Sequence, residues 1–316
     1  MLPKLTISFL RRTGSDKIIS DILKKNKNKF YQTLAFSASK ISENRNDIDL
    51  RYHSMQTQPE YWHTHYTFRK DKIPLIKIDG EEVVNPVTIA QYGLVCYNQY
   101  YLTKENYWKD EFLNQVRFLS EMDPNLYYQF DLKSYNLKKP WVSGLAYGTA
   151  ISLLVRAELT ESSAKNKELI GIYLEKIFNL KENGGVFTST PEGLPWIEEY
   201  PSAKSSYVYN GFVTAFTGLL ECKIFLKQEL PLFVNIENLE RSAIETLRFY
   251  DIGLWLRYDR INKKIINPYY MNYHINQFQH LFLLTGNKTY LKIRSRLKKM
   301  YQFRFLYPYY DAYIYS

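Results

Sequence analysis

Residues 142–180, "VSGLAYGTAISLLVRAELTESSAKNKELIGIYLEKIFNL", hold two helical patterns separated by a short polar break, and the recurrence of that pair decides the fold. Apolar residues recur at helical spacing over 142–159 and again over about 165–180, with Leu159-Thr160 and a polar run between them. The same unit appears over Val87–Leu102 with 105–122, and over 272–284 with 288–300. A turn signature, Leu-Thr followed by a polar residue or glycine, joins all three: "LTKEN" at 102, "LTESS" at 159 and "LTGNK" at 284. The first two lie 57 residues apart and the next two 125, so a further unit is expected midway. Residues 206–226 followed by 236–250 supply it without the signature. Four helical hairpins at a period of roughly 60 residues predict a mainly α fold, an incomplete α/α toroid, with an open solenoid as the alternative stacking.

The segments between hairpins are less regular. The segment 184–205, which carries "GGVFTSTPEGLPWIEEYPS", combines Gly, Pro and alternating apolar residues and predicts a short β-hairpin, and 251–270 reads the same way with a polar turn near Asn262. Residues 1–72 lack the hairpin period, which divides the chain into an irregular N-terminal extension, 1–72, and a helical catalytic domain, 73–316. His53, His63 and His65 fall in that extension; His63 and His65 could share a metal on a strand, but no third ligand is evident by spacing, so no metal site is expected. Cys96 and Cys222 each sit inside an apolar helical pattern, as buried free thiols do. No apolar run reaches the length of a membrane span or a signal-peptide core, which reads as a cytoplasmic chain. The net charge of +10 favours polyanionic partners. Its clusters, "KKNKNK" at 24–29 and "KIRSRLKK" at 292–299, carry no nucleic-acid motif and read as solvated helix faces. The 29 tyrosines and 18 phenylalanines suit a groove floored with rings, for sugars as for bases.

Chemistry concentrates in 196–212, "WIEEYPSAKSSYVYNGF". Together with "NPVTIAQYGLVCYNQYYLT", "AISLLVRAELT", "YDIGLWLRYDR" and "YHINQFQHLFLLTGNKTY", taken in chain order, this stretch resembles the C-terminal catalytic region of the D-glucuronyl C5-epimerases over roughly 73–300. The resemblance implies an isomerase that converts D-glucuronic to L-iduronic acid units within a heparosan-type polysaccharide. It implies no cofactor, a glucuronic-acid-containing acidic polysaccharide as partner, no nucleic acid, and a homodimer. It places catalytic roles on Glu199, Tyr200, Tyr258 and Tyr270 and substrate-lining roles on Asn210, His274 and Asn276, beside which Arg257, Arg260, Lys204 and Gln91 are substrate-binding candidates. Epimerisation removes a proton alpha to a carboxylate from one face of the ring and returns one to the other. Glu199 or Tyr200 is assigned to one face and Tyr258 or Tyr270 to the other. A phenol titrating near 10 needs a cation or an acceptor to work at neutral pH, and Arg257 and Arg260 flank Tyr258 in sequence. The chain departs from the family pattern at Ile261, where an arginine is expected, at Met271, where a histidine is common, and at Ala146–Thr149, where a glycine-glutamine run stands. A cytoplasmic relative acting in bacterial capsule or exopolysaccharide synthesis is expected. A uronate lyase on the same fold and a non-catalytic glycan-binding relative are the alternatives.

Overall fold

A computed structural model describes residues 51–52, 59–231, 234–262 and 264–307, so His53 and most of the expected N-terminal extension lie outside the described residues. The chain is mainly helical. A short helix α1 (Pro59–His65) leads into an antiparallel sheet of β1 (Thr67–Phe68), β2 (Pro74–Ile78) and β3 (Glu81–Val84) in the order β1-β2-β3, paired Thr67 to Leu75 and Leu75 to Val84. His63 and His65 therefore lie on a helix, where His65 Nδ1 bonds the Tyr61 carbonyl at 2.9 Å. Among the described residues, no three metal-ligating side chains cluster.

Four helical hairpins follow: α2 (Pro86–Thr103) with α3 (Asn106–Glu121), α4 (Gly144–Thr160) with α5 (Ala164–Ile177), α6 (Tyr209–Phe225) with α7 (Ile236–Glu245), and α8 (Pro268–Thr285) with α9 (Lys288–Tyr301). Their starts are written in the sequence. Asn85 accepts from Val87 N at 2.9 Å ahead of Pro86, and Asn267 accepts from Tyr270 N at 2.9 Å ahead of Pro268, each an Asn cap before a proline whose missing N–H costs the helix nothing. The Leu-Thr signature has a physical meaning at their ends. Thr103, Thr160 and Thr285 each donate a hydroxyl to the carbonyl four residues back, at 3.0, 2.8 and 2.8 Å. Thr103 and Thr285 also accept from the N–H two residues on, which satisfies the fraying turn from both sides.

The first helix of each hairpin forms an inner row in which α2 packs on α4, α4 on α6 and α6 on α8, while α3, α5, α7 and α9 cover the outside. Burial follows that division. Gly144 to Ala157 of α4 and Tyr209 to Cys222 of α6 are buried nearly without interruption, whereas α7 buries Leu239, Ser242 and Ala243 and α9 buries Tyr290, Leu297 and Met300. A helix with no polar face must be enclosed, and one with a single apolar stripe must lie at the surface. Close approach of α4 to α6 depends on Gly148, where a Cβ would stand 2.4 Å from the Ala215 Cα. Cys96 and Cys222 are free and buried in these inner helices. Among the described residues no helix is long and apolar enough to cross a membrane.

Candidate functional site

The hairpin expected in 184–205 forms as β4 (Phe187–Ser189) paired with β5 (Pro195–Ile197). It delivers Glu198, Glu199 and Tyr200 to the N-terminal ends of the inner helices. The Gly144 N–H at the start of α4 donates to the Glu198 carbonyl at 2.9 Å, and Glu198 N donates to the Val186 carbonyl at 2.8 Å. Successive residues of an extended segment face opposite ways. Glu198 turns into its own loop, accepting from Ser206 Oγ at 3.0 Å and Tyr207 N at 3.1 Å, and so ties the loop shut. Glu199 turns to the first turn of α6, where Asn210 Nδ2 donates to Oε2 at 3.2 Å and Tyr258 Oη donates to Oε1 at 3.5 Å.

The Asn-Gly-Phe stretch explains itself here. At Gly211 a Cβ would lie 2.4 Å from Glu199 Oε2 and 2.5 Å from its Cβ, so only glycine lets the carboxylate rest on the helix. Gly211→Ala improves helix propensity by about 1 kcal/mol, yet it must displace Glu199. The expected result is a folded protein in which any turnover that depends on Glu199 falls by roughly 10²-fold, measured beside the thermal unfolding midpoint; unchanged turnover would show that the Glu199 position is irrelevant.

Tyr200 stacks on Tyr135 with centroids 4.3 Å apart and meets Trp141 edge-on at 6.0 Å. Tyr258 meets Tyr270 edge-on at 5.4 Å. Tyr135, Tyr200, Tyr258, Tyr270, Lys264 and Tyr307 line one cleft of about 540 Å³. Burial pushes the Glu199 carboxyl up to about 7, against hydrogen bonds from Tyr200 and Tyr258 that pull it down. Burial, reinforced by Glu199, holds Tyr200 and Tyr258 well above the ordinary phenol value and Tyr270 up at about 12. The phenols are thus neutral donors at neutral pH, and the carboxylate behind them is the group that titrates there.

The other expected residues are placed differently. Arg260 grips Glu192 with two bonds of 2.8 Å and lies over Phe249 at 4.3 Å, and that ion pair holds Glu192 down at about 2. Arg257 and Lys204 are exposed, and Gln91 and Asn276 are half-buried on α2 and α8. His274 is buried, bonded through Nδ1 to Gln277 Oε1 at 2.8 Å, and burial pushes it down to about 4, so it is neutral. Among the described residues the cation lining the cleft is Lys264, whose ammonium stands 5.7 Å from the Tyr258 ring centroid. Sequence reasoning missed it, and missed Tyr135, which donates to the buried Asp259 at 2.7 Å. Asp259 also accepts from Ile261 N, Asn262 N and Asn262 Nδ2, and this side-chain turn reduces the hairpin expected at 251–270 to isolated bridges, Asp251 with Leu256 and Arg257 with Ile265. A larger groove of about 870 Å³ lies elsewhere, but its cations and carboxylates balance and Lys72 is tied to Glu111.

The helix ends add a field. Gly144, Asn210 and Tyr270 place the N-terminal ends of α4, α6 and α8 around Glu199 and the tyrosines, and such ends carry partial positive charge. A cleft of this kind suits an anion.

The family model described as D-glucuronyl C5-epimerase C-terminus matches residues 121–299, more than half of the chain and every one of the cleft residues but Tyr307. The chain belongs to this family. It is 26% identical over 175 residues to the uncharacterized protein MJ1128 of Methanocaldococcus jannaschii, a match covering 54% of this chain and 56% of that protein. It is 30% identical over 114 residues to the D-glucuronyl C5-epimerase of Caenorhabditis elegans, covering 36% of this chain and 18% of that enzyme. The chain thus spans about half the length of the archaeal relative and under a fifth of the nematode enzyme.

Proposed function

We propose that this protein is an isomerase that epimerises C5 of glucuronic acid units within an acidic polysaccharide. One observation carries the reading: a buried carboxylate, Glu199, pushed up to about 7 by burial and bonded to Tyr200 and Tyr258, two of the tyrosines that line the cleft. Lys264 neutralises the substrate carboxylate, which makes the C5 proton removable. Tyr200 takes that proton on its oxygen as its own phenolic proton passes to Glu199, so the C5–H bond breaks and its electron pair enters the carboxylate as an enediolate. Tyr258 or Tyr270 then donates its proton to C5 from the other face. The phenolate left behind recovers a proton from Glu199 through Tyr258, restoring the starting state.

In this reading residues 73–316 are the catalytic domain, the four hairpins form an incomplete toroid around the cleft, and the setting is capsule or exopolysaccharide synthesis in a bacterial cytoplasm. Heparosan incubated with the protein in deuterated water is expected to gain deuterium at C5 and to yield iduronic acid without chain cleavage, read by NMR. Unsaturated uronate and shortened chains would instead identify a lyase, and binding without exchange a non-catalytic relative. Because Glu199 must be ionised to accept a proton, kcat is expected to rise with pH about a midpoint near 7 and to level above it. A midpoint near 4.5, the ordinary carboxyl value, would remove Glu199 from the relay.

A further inference from the structure

Helix α9 carries Lys288, Lys292, Arg294, Arg296, Lys298 and Lys299 and no acidic residue, so 14 of 316 residues supply six charges of a net +10. Such a helix opposes its own formation. Lys288 with Lys292, Lys292 with Arg296 and Arg294 with Lys298 are like charges at i,i+4, which repel one another across a helical turn. At about 100° per residue, Lys288, Lys292 and Lys299 fall within roughly 40° of one another, opposite the stripe of Tyr290, Leu297 and Met300 that faces the interior. The three lysines are exposed, and no carboxylate among the described residues pairs with them. They form a cationic ridge about 16 Å long. A face that is merely solvated mixes both signs; this one does not.

The ridge is attached to the cleft at two points. Beyond the C-terminal end of α9 the chain turns through Arg304–Leu306 and sets Tyr307 on the cleft wall. Midway along the helix, Arg296 Nε donates to Asp251 Oδ2 at 2.7 Å, on the segment that runs on to Tyr258. We propose that α9 is an exosite for the same acidic polysaccharide, holding the chain outside the reacting unit. This rests on the proposed function for the identity of the polymer. An isolated phosphate or small anion would find single, exposed lysines here, whereas a chain with a carboxylate on alternate sugars can meet several at once, the gain of multivalency.

The test compares wild type with Lys288→Gln/Lys292→Gln/Lys299→Gln, measuring affinity for heparosan polymer and for a glucuronate-containing tetrasaccharide by calorimetry at about 0.1 M salt, where surface charge is screened beyond about 10 Å. The ratio of polymer to tetrasaccharide affinity is expected to fall roughly tenfold in the variant, with a shallower salt dependence, while the unfolding midpoint holds or rises as like charges are removed. An unchanged ratio overturns the exosite. So does tighter binding of duplex DNA than of heparosan at equal charge, lost in the variant, which would make α9 a nucleic-acid surface. A tenfold fall without deuterium exchange by wild type on any uronate polymer keeps the exosite and removes the epimerase.

Discussion

Glu199→Gln is expected to stop the proposed C5 exchange, by at least roughly 10³-fold in kcat, and at the same time to make the protein more resistant to heat at pH 8. Both effects follow from one property. Burial raises the Glu199 carboxyl from 4.5 to about 7, and the neighbouring Glu198, also buried, is raised to about 7. Between those values the native state binds protons that the unfolded chain has released, so stability is full below about pH 4.5 and is lost as pH rises through about 7. At pH 8 an ionised Glu199 costs up to about 3 kcal/mol, which the uncharged amide removes. Part of the gain is offset, because Gln offers one acceptor where Glu199 accepts from both Asn210 and Tyr258. A net rise of a few °C is expected at pH 8, shrinking toward pH 5. Calorimetric unfolding of both proteins across that range, beside deuterium exchange, measures the two effects. A variant that loses exchange but is less stable at pH 8 than at pH 5 relative to wild type would mean that Glu199 is held ionised for structural reasons.

How much of this was legible in the sequence depends on which residues interact. The hairpins were, because helical periodicity and the Thr and Asn ends are local signals; the pair expected at Val87–Leu102 and 105–122 is found at Pro86–Thr103 and Asn106–Glu121. The small sheet was not. Its strands β2 and β3 are five and four residues long, too short for period counting, although Asp79-Gly80 between them is a strong hairpin turn. It also joins residues on both sides of position 72, where the extension was expected to end. At the site, the motif order pointed to Glu199, Tyr200, Tyr258 and Tyr270, and they converge. Adjacency misled for the arginines. Arg257 is exposed where its neighbour Tyr258 is buried, and Arg260 lies beyond the Asp259 turn, where Glu192 takes it. Tyr135 meets Asp259 across 124 residues, a pairing that no local pattern among 29 tyrosines could show.

The opposite end of the inner helices sets the other large effect. Arg156 on α4 holds Glu221 on α6 with two bonds of 2.8 Å, and His280 Nε2 on α8 bonds the same carboxylate at 2.7 Å, with Arg156 and Glu221 fully buried. The Arg156 guanidinium also lies over Tyr52 at 5.1 Å and Tyr97 at 5.8 Å. Burial alone would push Glu221 up, but Arg156 and His280 bring it well below the usual carboxylate range. The cluster stitches three inner helices together near their C-terminal ends, where cations suit the negative pole. Arg156→Ala strands a buried carboxylate and leaves a void, so a loss of about 3–5 kcal/mol is expected, a fall of roughly 10 °C in the unfolding midpoint. Arg156→Met with Glu221→Leu removes both charges and fills the space, and is expected to recover most of that loss. Thermal unfolding of the single and double variants separates the two causes. If the double variant is as unstable as Arg156→Ala, the hydrogen-bond geometry of the cluster, rather than the uncompensated charge, is what the inner helices depend on.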